Sequence, residues 1–236
     1  MGFDPARLML SDLSGCRRTV SRMVAPTTTP SPPPTTTQAP PAIGLRIVIV
    51  ATILLAFLIT ATTSRSGLWW RFSTFTYEVN LLAAGYVLWA LLRPAAAKKL
   101  PGLRGAVVLY VVVAGVIWNL YLTEMSMGYT PQNIMLHIIS PVLVALDWLL
   151  IGRSQSRLTW WHPLAWLSYP LIYLIAVLVY LNSERGRFLY YFLDVDQIGL
   201  AGLSSNVVLL AVGFAALGYL MLGIGRLAVT ARGTPA

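Results

Sequence analysis

Six apolar runs, each close to the length of one bilayer crossing, alternate with short polar segments along most of the chain. They lie at about 45–62, 74–92, 104–123, 132–151, 164–181 and 205–227. A hydrocarbon core about 30 Å thick takes roughly 20 apolar residues of helix to cross. Backbone N–H and C=O groups in lipid find no water, so each run is predicted to be a helix. The fold class is therefore all-α, an integral membrane bundle of six transmembrane helices. Pro131 opens the fourth run with Thr130 as its N-cap, and Pro101 and Pro163 precede the third and fifth. Pro141 and Pro170 fall inside their runs and predict kinks.

The flanks read differently. Residues 1–44 are predicted to form a disordered cytoplasmic tail, residues 45–227 the membrane domain, and residues 228–236 a second short tail. The first 23 residues are basic and lack the long apolar stretch and small-residue cleavage site of a secretory signal. Met23 is a second candidate start. Residues 24–42 are rich in proline and threonine, a composition that cannot bury a core.

Composition agrees with lipid as the main solvent. Of the 236 residues 57% are apolar and 11% charged, against about a quarter charged in soluble domains. A net charge of +9 can signal nucleic acid, but here the basic residues sit in short loops between apolar runs, so no nucleic-acid partner is expected. That placement sets topology. Arg65, Arg71, Arg185 and Arg187 lie on one side, and the other thirteen of the 17 lysines and arginines lie on the side that holds both termini. The richer side is predicted to be cytoplasmic, in a cell membrane. The single cysteine, Cys16, excludes an intrachain disulfide. Two histidines and no CxxC or HExxH give no basis for a zinc site, and no cofactor is predicted.

Polar residues inside spans are costly, so their positions carry information. Helices two, four and six run inward, and each carries polar residues near its outer start: Thr76, Glu78 and Asn80; Asn133 and His137; Ser204, Ser205 and Asn206. Helix three ends outward with Asn119, Thr123 and Glu124. Thr76 and His137 both fall roughly 5–10 Å below the outer boundary at 1.5 Å per residue. Thr76 shares a helix face with Asn80, and Asn133 shares one with His137. One polar pocket in the outer leaflet, walled by helices two, three, four and six, is the expectation. Serine, threonine and asparagine near helix starts also serve as ordinary caps. Glu78 lies on a different face from Thr76 and can snorkel to the surface or favour the helix N-terminus. Asp147, alone in the inner half, is expected to pair with an arginine or lysine. Ala211, Ala215 and Gly218 form a small-residue stripe for close helix packing.

Three runs carry a family resemblance. Phe75-Thr76-Tyr77-Glu78-Val79-Asn80-Leu81-Leu82 opens helix two. His137-Ile138-Ile139-Ser140-Pro141, followed by Asp147-Trp148, fills helix four. Tyr190-Tyr191-Phe192-Leu193-Asp194 lies in the last outer loop. In order and spacing they resemble the prokaryotic six-span family called Pr-six-Pr over about residues 45–226. More distantly they resemble the androgen-induced-gene family of animals. Animal members are intramembrane threonine hydrolases that cleave fatty acid esters of hydroxy fatty acids, and the resemblance puts their threonine and histidine on Thr76 and His137. The bacterial pattern often has serine or threonine before the asparagine, where this chain has Val79.

The resemblance implies acyl transfer. A threonine hydroxyl needs a base, and His137 is the candidate inside the spans. Asn80, Asn119 or Asn206 can orient the ring or hold a developing oxyanion. Membrane lipids and a lipid-ester substrate are the implied partners, with the oligomeric state left open. Two other classes stand beside the hydrolase: a carrier of protons or a small solute, and a non-catalytic membrane partner that docks through its tail.

Overall fold

The computed structural model describes residues 39–63, 68–124, 128–151, 154–181, 189–231 and 233. Six helices are long and apolar enough to cross a bilayer: α1 (Pro40–Thr63), α2 (Phe75–Leu92), α3 (Pro101–Leu122), α4 (Pro131–Leu150), α5 (His162–Tyr180) and α6 (Val195–Ala231). This is a multi-pass membrane protein. The basic and Pro/Thr-rich segment before residue 39, and the loop arginines Arg65, Arg153, Arg185 and Arg187, lie outside the described residues.

Two helix starts differ from the sequence reading. Helix α1 begins at Pro40, not near residue 45, because proline is at home in a first turn that has no carbonyl to bond. Helix α6 begins at Val195, ten residues early. Asp194 caps it: its Oδ1 accepts the backbone N–H of Asp196 at 3.0 Å and of Gln197 at 3.3 Å. Four residues on, Gly199 takes φ 68°, a left-handed conformation that breaks α6 into a short leading piece and a long span. Thr130 holds the N-cap position of α4, but its hydroxyl makes no capping bond; the residue contributes only its carbonyl, which accepts the first helical bond from Ile134 N–H at 2.9 Å.

Helices α1 to α4 close into a ring, α1 packing on α2, α2 on α3, α3 on α4 and α4 back on α1. The interior is small and β-branched, with Ile49, Ile53, Val79, Ala83 and Val111 fully buried. Helix α6 packs outside the ring against α3 and α4, and close approach rests on glycine. A Cβ at Gly218 of α6 would stand 3.4 Å from Leu109 of α3 and 3.0 Å from Pro163 of α5, and in the α3–α5 contact a Cβ at Gly105 would collide with the Trp166 indole.

One end of the ring is fastened by charge. Asp147 Oδ1 accepts from Arg46 Nε of α1 and its Oδ2 from Arg104 Nη2 of α3, each at 2.8 Å. Arg104 also donates to the carbonyls of Asp147 and Ile151 at 2.5 and 2.8 Å, which lie in the last turn of α4 or just past it. It thus fills the role of a C-terminal cap. The guanidinium sits 5.6 Å over the Trp148 ring. All three charged residues are buried, so each depends on the others for solvation. Asp147→Ala leaves two buried guanidiniums without their carboxylate and is expected to cost about 3–5 kcal/mol. Thermal unfolding of the purified protein in detergent measures it; a melting temperature equal to that of the parent would contradict the account.

Candidate functional site

The opposite end of the ring holds most of the polar residues singled out by sequence. Thr76, on the first turn of α2, and His137, on the second turn of α4, meet with Oγ1 and Nε2 3.1 Å apart. The ring's other nitrogen, Nδ1, lies 2.9 Å from the Asn133 carbonyl oxygen. A carbonyl only accepts, so Nδ1 carries a proton, and in the neutral ring Nε2 offers a lone pair to the Thr76 hydroxyl. Trp118 of α3 stacks on the imidazole with centroids 4.4 Å apart and planes 18° from parallel. Two hydrogen bonds and one stacked face leave the ring no freedom to turn.

The backbone under His137 is irregular for an identifiable reason. Pro141 has no N–H, so the carbonyl four residues back, that of His137, loses its helical partner. The helix widens to a π-turn over Met135–Ile139, and Ser140 N–H bonds to Met135 O instead of Leu136 O. Both released carbonyls are taken by side chains. Asn119 Nδ2 of α3 donates to His137 O at 3.3 Å and to Gly115 O at 2.8 Å. Asn80 Nδ2 of α2 donates to Leu136 O at 3.4 Å and to Thr76 O at 2.9 Å, while its Oδ1 accepts the Ser140 hydroxyl at 2.5 Å. Gly115 makes the α3–α4 approach possible: a Cβ there would lie 2.7 Å from the His137 carbonyl and 2.9 Å from Pro141. Asn80 therefore sets α2 against α4, and Asn119 sets α3 against α4. Neither amide bonds the imidazole itself.

The remaining candidates sit apart from the pair. Asn133 supports it through its carbonyl, while its side chain donates to Gly128 O at 2.8 Å. Glu78 accepts the Tyr169 hydroxyl of α5 at 2.7 Å, so it tethers α5 to α2 and neither caps nor orients. Asn206 donates to Phe192 O at 2.8 Å and holds the last loop onto α6. The single polar pocket walled by helices two, three, four and six is thus corrected. The polar residues are packed into a clamp, and α6 contributes none of its polar side chains to it.

The open space beside the clamp is apolar. A cavity of about 230 Å³ lies between the start of α2, the middle of α5, α3 and α6, with Thr76 in its wall. At the same end Tyr190 and Tyr173 line it. Phe75 N–H donates to the Tyr190 hydroxyl at 3.1 Å, Tyr190 donates to Tyr173 at 3.0 Å, and Tyr173 to Ser73 O at 3.1 Å. On its far side His137 borders a shallower groove between α3 and α4, which Asn119 and Pro141 also line. Thr76 thus separates a hydrocarbon-lined space from the imidazole behind it. The Trp118 stack, the Tyr173 link and the role of Gly115 were not read from the sequence. Spacing offered one hint: Gly115 and Trp118 lie four and one residues before Asn119, so all three fall close to one face of α3. Among the described residues no group of three or more histidine, cysteine, aspartate or glutamate side chains comes together to hold a metal.

Two outcomes follow for this geometry. Gly115→Ala forces α3 from α4 and is expected to destabilise by about 1–3 kcal/mol, whereas Gly85→Ala, with nothing within 4 Å of its Cβ, should stay close to neutral. Melting temperatures of the two variants, side by side, decide it. Nitrogen-15 NMR of labelled histidine should find the His137 proton on Nδ1; a proton found on Nε2 alone would mean that no acceptor faces Thr76. No family model, no curated protein and no solved structure matches this chain.

Proposed function

We propose that this protein is an intramembrane hydrolase of lipid esters, with Thr76 as nucleophile and His137 as general base. The observation that carries the reading is the 3.1 Å approach of Thr76 Oγ1 to a ring nitrogen whose partner nitrogen is already committed to a carbonyl. A hydroxyl, a base and an orienting acceptor in series are the arrangement that activates a weak oxygen nucleophile. The order and spacing of the three motif runs support kinship with Pr-six-Pr proteins and, more distantly, with the threonine hydrolases of the androgen-induced-gene family.

The chemistry follows from the placement of groups. Nε2 takes the hydroxyl proton as Thr76 Oγ1 bonds to the ester carbonyl carbon. The carbonyl oxygen becomes an oxyanion near the first turn of α2, where the helix N-terminus carries partial positive charge. As the C–O bond to the leaving alcohol breaks, Nε2 returns the proton to that oxygen. Water then repeats the sequence on the acyl-threonine, with Nε2 as base, and releases the carboxylic acid and the free hydroxyl. The apolar cavity offers the acyl chain a place, which supports a lipid over a water-soluble ester.

With the arginine-rich side in the cytoplasm, the dyad would lie in the outer leaflet of a plasma membrane, near the depth of ester carbonyls. Transport is disfavoured by the ring interior. Between the dyad and the Asp147 cluster, roughly 15 Å apart along α4, lie Val144, Val111 and Ala83, all buried and apolar. Purified protein in lipid nanodiscs should hydrolyse fatty acyl esters. Thr76→Ala and His137→Ala should each lower turnover about a hundredfold or more, and Thr76→Ser should keep part of it. Undiminished turnover in both alanine variants would remove the proposal.

A further inference from the structure

We propose that the cavity at Thr76 and a second apolar cavity beside it form one acyl-chain site, divided by a side-chain partition that limits chain length. The second cavity, about 200 Å³, lies between α3 and α6. The two share four wall residues: Ile117 of α3, Phe192 of the last loop, and Leu210 and Phe214 of α6. Phe214 is the buried member of the partition, its ring 6.0 Å from that of Phe75, beside Thr76. The inference takes its chemistry from the hydrolase reading, but the binding site it describes stands on the cavities themselves.

The occupant is an amphiphile held by its head at the dyad end. Polar groups in the first cavity gather where Thr76, Tyr173 and Tyr190 meet, and the walls toward Ala211 and Phe214 are hydrocarbon. At about 30 Å³ per small group, the first cavity holds about eight non-hydrogen atoms, and the second about seven more. Chain length is selected here by steric exclusion. A chain that leaves the bilayer for the cavity moves between two hydrocarbon surroundings and gains little per methylene. The wild-type site therefore accepts chains up to about an octanoyl group and rejects longer ones at Phe214. Removing the Phe214 ring opens the second cavity to the same chain.

The test pairs turnover with binding in nanodiscs. Wild-type protein should cleave p-nitrophenyl octanoate about tenfold or more faster than the tetradecanoate, because the Phe214 ring stands in the way of the extra methylenes. Phe214→Ala, and Leu210→Ala should the first fold poorly, should bring the two rates within a few-fold of each other. Ala211→Phe, which fills the first cavity, should move the cut-off to shorter chains. Independently of catalysis, Thr76→Ala protein is photolabelled with an octanoic acid bearing a terminal diazirine. Labels should map to Ile117, Leu210 or Phe214, and octanoate should compete better than tetradecanoate until Phe214→Ala is added. Labelling without turnover would defeat the hydrolase reading and keep the site. A competition profile that neither α6 variant alters, or labels elsewhere, would overturn the site whatever the turnover.

Discussion

A proline inside a membrane-spanning helix releases one carbonyl that lipid cannot satisfy, and the structure is built around two such releases. Pro141 frees His137 O, which Asn119 takes; Pro170 frees Trp166 O, which the Tyr110 hydroxyl takes at 2.8 Å. Both donors come from α3. That helix is therefore more than a wall of the ring: it supplies the hydrogen bonds that let α4 and α5 bend where they do. The π-turn in α4 is the local result, and it carries His137 on the bend. In water, solvent could repair either break, and the pairing of these residues would lose its necessity.

The two ends of the ring solve the problem of buried polarity differently. At one end a carboxylate and two guanidiniums answer each other directly, and the bonds join α1, α3 and α4. At the other end neutral amides and hydroxyls interlock: Asn80 with Ser140 between α2 and α4, and Thr60 with Tyr77 at 2.8 Å between α1 and α2. The neutral end leaves the imidazole lone pair facing a hydroxyl, with the ring's other nitrogen committed to the Asn133 carbonyl. The charged end fixes the frame in which that alignment is held. Helices α5 and α6, outside the ring, wall the apolar space that borders the hydroxyl.

The six spans were legible because bilayer thickness imposes a length that composition alone reveals. Equal depth of Thr76 and His137 was legible too, since rise per residue converts sequence offset into position along the membrane normal. Direction around the helix axis was harder. Asn206 shares the depth but looks toward the Phe192 carbonyl, and Glu78 turns to Tyr169. The π-turn adds a residue to its turn and so resets which face every later residue of α4 presents, an offset that ideal periodicity cannot include. Capping was legible by residue type but not by position: Thr130 stands at the N-cap of α4 without a side-chain capping bond, whereas Asp194, read as loop, caps α6. Partners remote in sequence, such as Trp118 on His137, leave no local pattern at all.

The charge cluster also bears on biogenesis. Arg46 is synthesised 101 residues before Asp147, and Arg104 precedes it by 43. As the nascent chain leaves the ribosome, α1 and α3 reach the translocon carrying cations whose counter-ion does not yet exist. Each arginine must wait at the headgroup boundary, where its long side chain can reach water. Emergence of α4 then draws both into the protein, so closure of the ring is tied to completion of its fourth helix and a chain truncated before Asp147 would hold its first spans in a shallower, unlocked position.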